Sequence, residues 1–249
     1  MMAGIGSLTP HWPAPAGVRA AFTLRYGGVS AAPYATLNLA GHTGDAPEAV
    51  AENRRRVRTQ LELPAEPLWL EQVHGTDVID LDRLAGEGPY RADGAFTRSP
   101  GRVCAVLVAD CLSVLLAERR GAAVAAVHAG WRGLAGGVLE AAVRALAVAP
   151  SELMAWIGPG IGAAHYEVGA EVREALLAVE PGHAAAFEPN ARGRWQCDLA
   201  VIARQRLHGL GVTQVWGGEG CTFAEPERFF SYRRDGRCGR MAALIWLVP

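Results

Sequence analysis

The sequence predicts an α/β protein in which a layered, mixed β-sheet core is flanked by helices. The middle of the chain alternates short apolar runs with turns, as β-strands do. These strands follow one another without a helix between each pair, which argues against a doubly wound parallel sheet. Apolar segments of helical length come before and after the strands. Helices therefore have to cover the outer faces of the sheet.

The elements follow in chain order. Asp45 is the predicted N-cap of a helix that runs to about Leu61, with Pro47 in its first turn and Glu48 reaching back to the cap. Paired glycines in residues 23–30 and the glycine-rich residues 158–162 predict turns. Asp198 is a second predicted N-cap. Strands are predicted over residues 68–73, 78–81, 103–108, 114–117, 124–127, 155–157, 214–216 and 241–247. Helices are predicted over residues 134–148, 169–179 and 199–210.

Length, charge and hydropathy restrict the class of protein. The 249 residues, half of them hydrophobic, suffice for one large core, so one domain over residues 1–249 is expected. The formal net charge of -1, without a basic stripe, argues against a nucleic-acid partner. No apolar run is long enough to span a bilayer, and the first 15 residues lack the pattern of a secretion signal. We expect a cytoplasmic protein without a membrane partner or an evident protein partner.

Cysteine and lysine usage restrict the chemistry. The five cysteines form an odd set without a C-x-x-C pair, which indicates reduced thiols rather than a disulfide framework or a zinc ribbon. Every basic residue other than histidine is arginine, because the chain contains no lysine. A Schiff-base lysine, a pyridoxal-phosphate anchor and a P-loop lysine are therefore excluded.

Three predicted strands end in residues that can bind a metal or catalyse a reaction. His74 follows the first strand in the segment QVHG, Cys111 follows the strand over 103–108 in ADC, and His128 ends the strand over 124–127 in HAGWRG. Side chains at strand ends can converge on one point. Two imidazoles and one thiolate form a ligand set that suits Zn²⁺ with an open fourth position.

Other interpretations of these residues stay open at this stage. Cys111 could be a nucleophile with His128 as its base, as in a hydrolase. The same three side chains could hold copper. A lone cysteine or histidine is also often a purely structural residue.

Charged residues elsewhere give less specific signals. Arg132, close to His128, could hold a phosphate or pair with a carboxylate. The polar segment 231–236 is either a solvated turn or an anion site that uses its arginines. His165, His183 and His208 are interpreted as surface residues.

At these same positions the chain resembles the YfiH family, also called the laccase-domain or multicopper polyphenol oxidase-like family and described as purine nucleoside phosphorylases. The order of QVHG, ADC and HAGWRG is highly specific, and the match covers nearly the whole chain. One small departure is Asp93-Gly94, where relatives often have Asp-Ala. The matching segments are residues 25–30, 37–39, 44–45, 52–54, 72–76, 109–112, 128–133, 167–169, 229–236 and 239–241.

The resemblance implies that His74, Cys111 and His128 are zinc ligands. It also implies an α/β fold shared with certain toxin deamidases. The implied activity is phosphorolysis of adenosine, inosine, guanosine and methylthioadenosine, with hydrolytic adenosine deamination as a further activity. Purine nucleosides and phosphate would then be the partners. The candidate substrate contacts are Arg25, Asn38, Arg132 and Arg234.

Two further hypotheses come from older names in the family. A copper-dependent polyphenol oxidase of the laccase type resembles other multicopper oxidases in its paired H-x-H motifs, and the seven histidines here include no such pair. A peptidoglycan editing factor would bind a cell-wall precursor without catalysis, and no segment of the sequence indicates the partner surface for that role.

Overall fold

The structure is a computed structural model that describes residues 4–84, 88 and 90–248. The ends of the expected 1–249 domain, residues 1–3 and 249, lie outside the described residues. The strands, in chain order, are β1 (Ser7–Leu8), β2 (Val18–Thr23), β3 (Val78–Asp80), β4 (Gly94–Thr97), β5 (Val103–Val108), β6 (Leu112–Glu118), β7 (Val124–Ala129), β8 (Leu153–Ile157), β9 (Glu167–Val168), β10 (Phe187–Pro189), β11 (Trp195–Cys197), β12 (Gln214–Gly217) and β13 (Met241–Leu247).

Helices lie between and after these strands. The α-helices are α1 (Pro47–Gln60), α2 (Trp131–Gly136), α3 (Val138–Leu146), α4 (Ala170–Val179), α5 (Leu199–Gly209) and α6 (Tyr232–Asp235). Short 3-10 helices are Gly41–Thr43, Leu81–Arg83, Pro150–Glu152, Ala163–His165 and Pro181–Ala186. Within the described residues, no helix has the length and apolar character needed to cross a bilayer.

The strands form two main sheets and one small sheet. The larger sheet has the order β12-β8-β6-β7-β4-β3, and its pairs β12–β8 and β3–β4 are parallel while the others are antiparallel. The second sheet has the antiparallel order β1-β2-β13-β5. A small sheet joins β10, β11 and β9. The predicted mixed sheet is therefore confirmed.

The two main sheets pack face to face, and helices cover their outer faces. Residues of β5 alternate: Cys104 and Val106 pack between the sheets, whereas Ala105 and Leu107 face the layer that holds α1. In β6, Leu115 packs between the sheets, whereas neighbours on the other face pack against α2 to α5. The result is four layers in the order helix, sheet, sheet, helix. Successive side chains of a strand point to opposite faces of its sheet, so each sheet packs on both sides.

Several predicted elements agree with the structure. The strands over 103–108 and 241–247 are β5 and β13 with the same bounds. The helices over 169–179 and 199–210 are α4 and α5 to within one residue. Asp198 caps α5, since its carboxylate accepts a hydrogen bond from the amide of Val201 at 3.0 Å.

The predicted strand over residues 68–73 is wrong. Among the described residues, its only ladder contact is the isolated bridge between Glu71 and Arg91. Gln72 pairs with β5 through its side chain rather than its backbone, and the amides of the next three residues bond to Asp93. These side-chain bonds replace the ladder that the apolar pattern suggested.

Three smaller predictions need correction, and six strands of the described chain were not predicted. The helix over 134–148 is two helices, because Gly137 adopts φ 95°, a left-handed conformation that ends α2. Ala46, not Asp45, is the N-cap of α1, while the Asp45 side chain bonds to Ser30 and Asn38. The six strands that were not predicted are β1, β2, β4, β9, β10 and β11. His183 is buried rather than on the surface, and its Nδ1 bonds to Gln205.

Candidate functional site

His74, Cys111 and His128 come together at one point. One nitrogen from each imidazole and the thiol sulfur all lie within 4.8 Å of one another. Nε2 of His74 lies 3.8 Å from Sγ of Cys111, and the two imidazole rings are 4.7 Å apart at an interplanar angle of 76°. Among the described residues, this is the group of histidine, cysteine and acidic side chains that can hold a metal ion.

Cys111 lies in the connection that crosses from one main sheet to the other. β5 belongs to the four-stranded sheet and β6 to the six-stranded sheet, so residues 109–111 pass between them. Asp110 adopts φ 87° there, a conformation that aspartate tolerates better than most residues. Its carboxylate accepts hydrogen bonds from the hydroxyl of Thr222 and the backbone amide of Arg233, both at 2.6 Å. These bonds fix the loop that carries Cys111.

The backbone beside Cys111 leaves no room for another side chain. Cys111 comes directly before β6, in register with Gly130, which follows β7. A Cβ atom on Gly130 would lie 3.0 Å from Sγ of Cys111 and 3.1 Å from Cδ2 of His74. Glycine at position 130 therefore allows the strand end to approach the cluster closely.

Asp93 holds both histidines through one buried carboxylate. It lies directly before β4, in register with His128 on β7, and its Oδ1 is 2.7 Å from Nδ1 of His128. The same carboxylate accepts hydrogen bonds from the backbone amides of Val73, His74 and Gly75 at 3.1, 2.9 and 2.6 Å. His74 adopts φ 59° in this tight turn. Because Nδ1 of His128 is engaged, its Nε2 is the nitrogen available to the cluster.

Gln72 attaches the His74 loop to the second sheet. Its Nε2 donates to the carbonyl oxygen of Leu107 at 2.8 Å, and its Oε1 accepts from the amide of Leu107 at 2.7 Å. Leu107 belongs to β5, the edge strand that leads to Cys111. These two bonds thus join the loop with His74 to β5. The joined residues lie two positions before His74 and four positions before Cys111.

The charges of the cluster favour a thiolate beside an imidazolium in the metal-free state. Burial alone would raise the pKa of Cys111, but the charge of His128 and hydrogen bonds from both histidines outweigh it and lower the pKa to about 6. Burial would lower the pKa of His128, yet the neighbouring Cys111 and Asp93 raise it to about 9. A deprotonated sulfur is the form that binds metals.

One of the three ligand distances matches a tetrahedral metal ion, while the three ligand atoms together lie within 4.8 Å of one another. With bond lengths of ~2.05 Å to nitrogen and ~2.3 Å to sulfur, two ligands of one tetrahedral Zn²⁺ stand about 3.6 Å apart. The observed 3.8 Å between Nε2 of His74 and Sγ of Cys111 is close to that value. Asp93 supplies the carboxylate that metal-bound histidines commonly have behind them. Three protein ligands would leave a fourth position for water or substrate.

The cluster opens into a cavity of about 420 Å³, a size typical of small-molecule sites. Polar side chains from several elements line it together with the three candidate ligands. They are His42, Gln72, Asp110, Tyr166, Tyr232, Arg233 and Arg240.

None of the four predicted substrate contacts belongs to this lining, and substrate contact stays a prediction for each of them. Arg25 donates to the carbonyl oxygens of Ala35 and Pro226. Asn38 is buried and bonds to Ala40, Thr43 and Asp45. Arg132 is exposed and its guanidinium stacks on Trp131 at 4.4 Å. Arg234 donates to the carbonyl oxygens of Thr222, Phe223 and Phe229 and pairs with Asp235.

Sequence reasoning missed Asp93 and Arg240 as functional candidates, and it named Arg233 only as one of the arginines of the segment 231–236. Asp93 could have been found from its position directly before the short apolar segment that forms β4. No sequence signal distinguishes Arg233 from its neighbour Arg234, because only the orientation of α6 decides which guanidinium lines the cavity.

The fold and the ligand cluster together define a class of protein. A family model described as "Multi-copper polyphenol oxidoreductase laccase" matches residues 19–248, and the chain belongs to this family. Among its relatives is the Escherichia coli "Purine nucleoside phosphorylase YfiH", 51% identical over 97% of this chain and 98% of that protein. A Pseudomonas aeruginosa protein named purine nucleoside phosphorylase is likewise 51% identical, over 96% of this chain and 98% of its own length. The crystal structure of the Neisseria meningitidis protein NMB0706 is 47% identical, with a TM-score of 0.93 and coverage of 98% of this chain and 100% of that one.

Proposed function

We propose that this chain is a zinc-dependent purine nucleoside phosphorylase, acting in the cytoplasm as one catalytic domain over residues 1–249. Adenosine, inosine, guanosine and methylthioadenosine are its proposed substrates, with hydrolytic deamination of adenosine as a second activity. One observation carries the proposal: a nitrogen and sulfur ligand set faces a cavity of small-molecule size. Relatives that share about half of the residues are named for this activity.

Phosphorolysis has definite chemical requirements. An oxygen of phosphate forms a bond to C1′ of the ribose while the bond from C1′ to N9 of the purine breaks. The electron pair stays on the purine, which takes up a proton. A zinc ion held by His74, Cys111 and His128 would supply Lewis acidity toward an oxygen of phosphate or ribose.

The residues of the chain would bind and orient the substrates. Asp93 holds a proton on Nδ1 of His128 and keeps Nε2 directed at the cluster. Tyr166 and Tyr232 line the same cavity and offer ring faces on which a purine can stack. Burial and the nearby Cys111 raise the pKa of Tyr166, so its hydroxyl stays protonated and can donate a hydrogen bond.

Product analysis with purified protein tests the proposal. With adenosine and phosphate we expect ribose 1-phosphate and adenine, and without phosphate only inosine and ammonia. Absence of phosphate-dependent base release from any of the four nucleosides would overturn the phosphorylase assignment. Protein purified without added metal should contain close to one equivalent of zinc, and stoichiometric copper without zinc would overturn the zinc assignment.

Two observations favour alternative functions. The name of the family points to copper and phenol oxidation, so the same metal analysis should be accompanied by an assay of phenol oxidation. The lowered pKa of Cys111 beside His128 would also suit a thiol hydrolase.

His74 distinguishes the zinc enzyme from the thiol hydrolase, because only the zinc site needs a third ligand. For the zinc enzyme, His74→Ala lowers zinc occupancy and phosphate-dependent purine release together, and an alkylating reagent modifies Cys111 faster after chelation. Full activity of His74→Ala, with equal alkylation with and without chelator, would favour the hydrolase.

A further inference from the structure

Two arginines of the cavity have no carboxylate partner. Arg233 and Arg240 both line the cavity that contains the candidate metal ligands. In the described part of the chain, neither guanidinium forms an ion pair within 4.0 Å, although twelve other pairs of charged side chains do. The two guanidinium groups carry positive charge beside the cavity, and no carboxylate of the described residues pairs with them. They therefore attract an anion from solution.

Arg233 bonds to the loop that carries Cys111, and Arg240 lies beside that loop. The backbone amide of Arg233 donates to the carboxylate of Asp110 at 2.6 Å. Arg240 lies one step beyond the ladder between β13 and β5, where Met241 pairs with Val108, so it stands opposite Ala109. The backbone of Arg233 is therefore bonded to the residue next to Cys111, and Arg240 lies opposite the residue two positions before Cys111. Both cationic side chains start close to this candidate ligand.

Part of each guanidinium is used to hold its side chain in place. Nη1 of Arg233 donates to the carbonyl oxygen of Glu167 at 3.0 Å, and the guanidinium stacks over Tyr166 at 5.1 Å. Nη1 of Arg240 donates to the carbonyl oxygens of Cys238 and Gly239 at 2.9 and 3.0 Å. Nε and Nη2 of both arginines have no partner among the described residues, so three N–H donors of each remain for a ligand.

His42 adds a third polar group to the same region. It lines the cavity, and burial together with the charges of Arg240 and Arg54 lowers its pKa. Arg240 lines the same cavity as this imidazole. A neutral imidazole can donate one hydrogen bond to an oxyanion without requiring another counter-charge.

We propose that Arg233, Arg240 and His42 form the subsite for a tetrahedral oxyanion, inorganic phosphate in the proposed reaction. The inference rests on the proposed function and names the residues that hold its second substrate. Planar guanidinium groups bind phosphate oxygens through paired N–H donors, which fixes the orientation of the anion as well as its charge.

The reaction at this subsite balances without an oxidant or reductant. One oxygen of hydrogen phosphate bonds to C1′ as the bond from C1′ to N9 breaks, and the proton of hydrogen phosphate ends on the purine. The subsite keeps the anion in the cavity that also contains the metal ligands, so both substrates meet there.

The test uses Arg233→Gln and Arg240→Gln in the full chain. Each variant should raise the KM for phosphate by ~10–100-fold, the effect of losing a charge-assisted contact. The KM for the nucleoside and the zinc content should stay within about twofold of the unaltered protein. Arg144→Gln on the exposed side of α3 is the matched control, with the same change of charge away from the cavity. Arg240→Lys, which keeps the charge but not the fork, should give an intermediate KM.

A binding measurement separates this subsite from the proposed activity. At constant ionic strength, inorganic phosphate alone should raise the Tm of the unaltered protein and of Arg144→Gln, but not that of Arg233→Gln or Arg240→Gln. If phosphate binding follows this pattern but no ribose 1-phosphate forms, the phosphorylase assignment fails and the subsite stands. An unchanged phosphate KM in both glutamine variants, or no binding of phosphate to the unaltered protein, overturns the subsite. If Arg240→Gln does not fold, Arg233→Gln and Arg240→Lys decide the matter by the same criteria.

Discussion

Asp93→Asn is the most informative single substitution at the candidate metal site. The two oxygens of Asp93 accept hydrogen bonds from three consecutive backbone amides and face Nδ1 of His128. Asparagine has nearly the same shape, but one oxygen becomes an NH₂ group. Both oxygens of Asp93 accept hydrogen bonds from N–H donors. The NH₂ group would therefore face an N–H donor whichever of the two oxygens it replaced. The substitution thus changes the chemistry of the contact while keeping its volume.

The size of the effect follows from these contacts. Loss of a carboxylate behind a metal-bound histidine typically costs 10–100-fold in metal affinity. A buried donor left without an acceptor costs about 1–3 kcal/mol of folding free energy. We therefore expect the zinc dissociation constant of Asp93→Asn to rise by ~10–100-fold, and its unfolding free energy to fall by about 1–3 kcal/mol.

Competition with a chromogenic chelator measures the dissociation constant, and urea titration of the metal-free protein measures stability. Asp77→Asn is the matched control, because Asp77 is an exposed carboxylate near the same turn with no side-chain hydrogen bond among the described residues. Equal zinc affinity of Asp93→Asn and the unaltered protein would refute the role that the hydrogen bonds assign to Asp93.

Three further predictions concern the cluster itself. Cys111→Ala should abolish turnover while circular dichroism and the cooperative unfolding transition stay unchanged, since Cys111 lies in a loop at the cavity; a folded and fully active variant would exclude the site. In metal-free protein, alkylation of Cys111 should become faster as pH rises through about 6, because the thiolate forms at that pKa. A half-maximal rate near the ordinary thiol pKa of about 8.5 would contradict the predicted effect of His128. Gly130→Ala should lower zinc content by at least ~10-fold with little loss of stability, because its methyl group would crowd Cys111 and His74; full zinc occupancy would show that the cluster can expand.

Local apolar patterns predicted the buried strands β5 and β13 well but missed β2 and β4. β5 and β13 lie next to each other in the core, so nearly every residue is apolar and the run itself defines the bounds. Patterns failed where a side chain forms the hydrogen bonds that the backbone of a strand would otherwise form. The segment around Gln72 has the apolar character of a strand, yet its hydrogen bonds run through an amide side chain and the Asp93 carboxylate.

The candidate metal ligands were predictable because Cys111 and His128 stand at the ends of apolar strands, His74 follows an apolar segment, and each carries a distinctive side chain. The cationic residues of the cavity were not, because arginines are numerous and their orientation depends on tertiary contacts. Arg234 turns toward the carbonyl oxygens of Thr222 and Phe229, whereas the adjacent Arg233 lines the cavity. Successive residues of a helix point about 100° apart, and the sequence does not indicate which one faces inward.

The side chain of Gln72 acts as a substitute peptide unit at an open sheet edge. β5 ends the four-stranded sheet on one side, and an uncovered strand edge is a template on which a second chain can add. By donating to and accepting from Leu107, Gln72 occupies part of that template. The loop that brings His74 to the cluster therefore also covers part of the β5 edge, at which a second chain could otherwise pair. A chain in which this loop detaches would lose a candidate metal ligand and expose the edge of β5 in the same event.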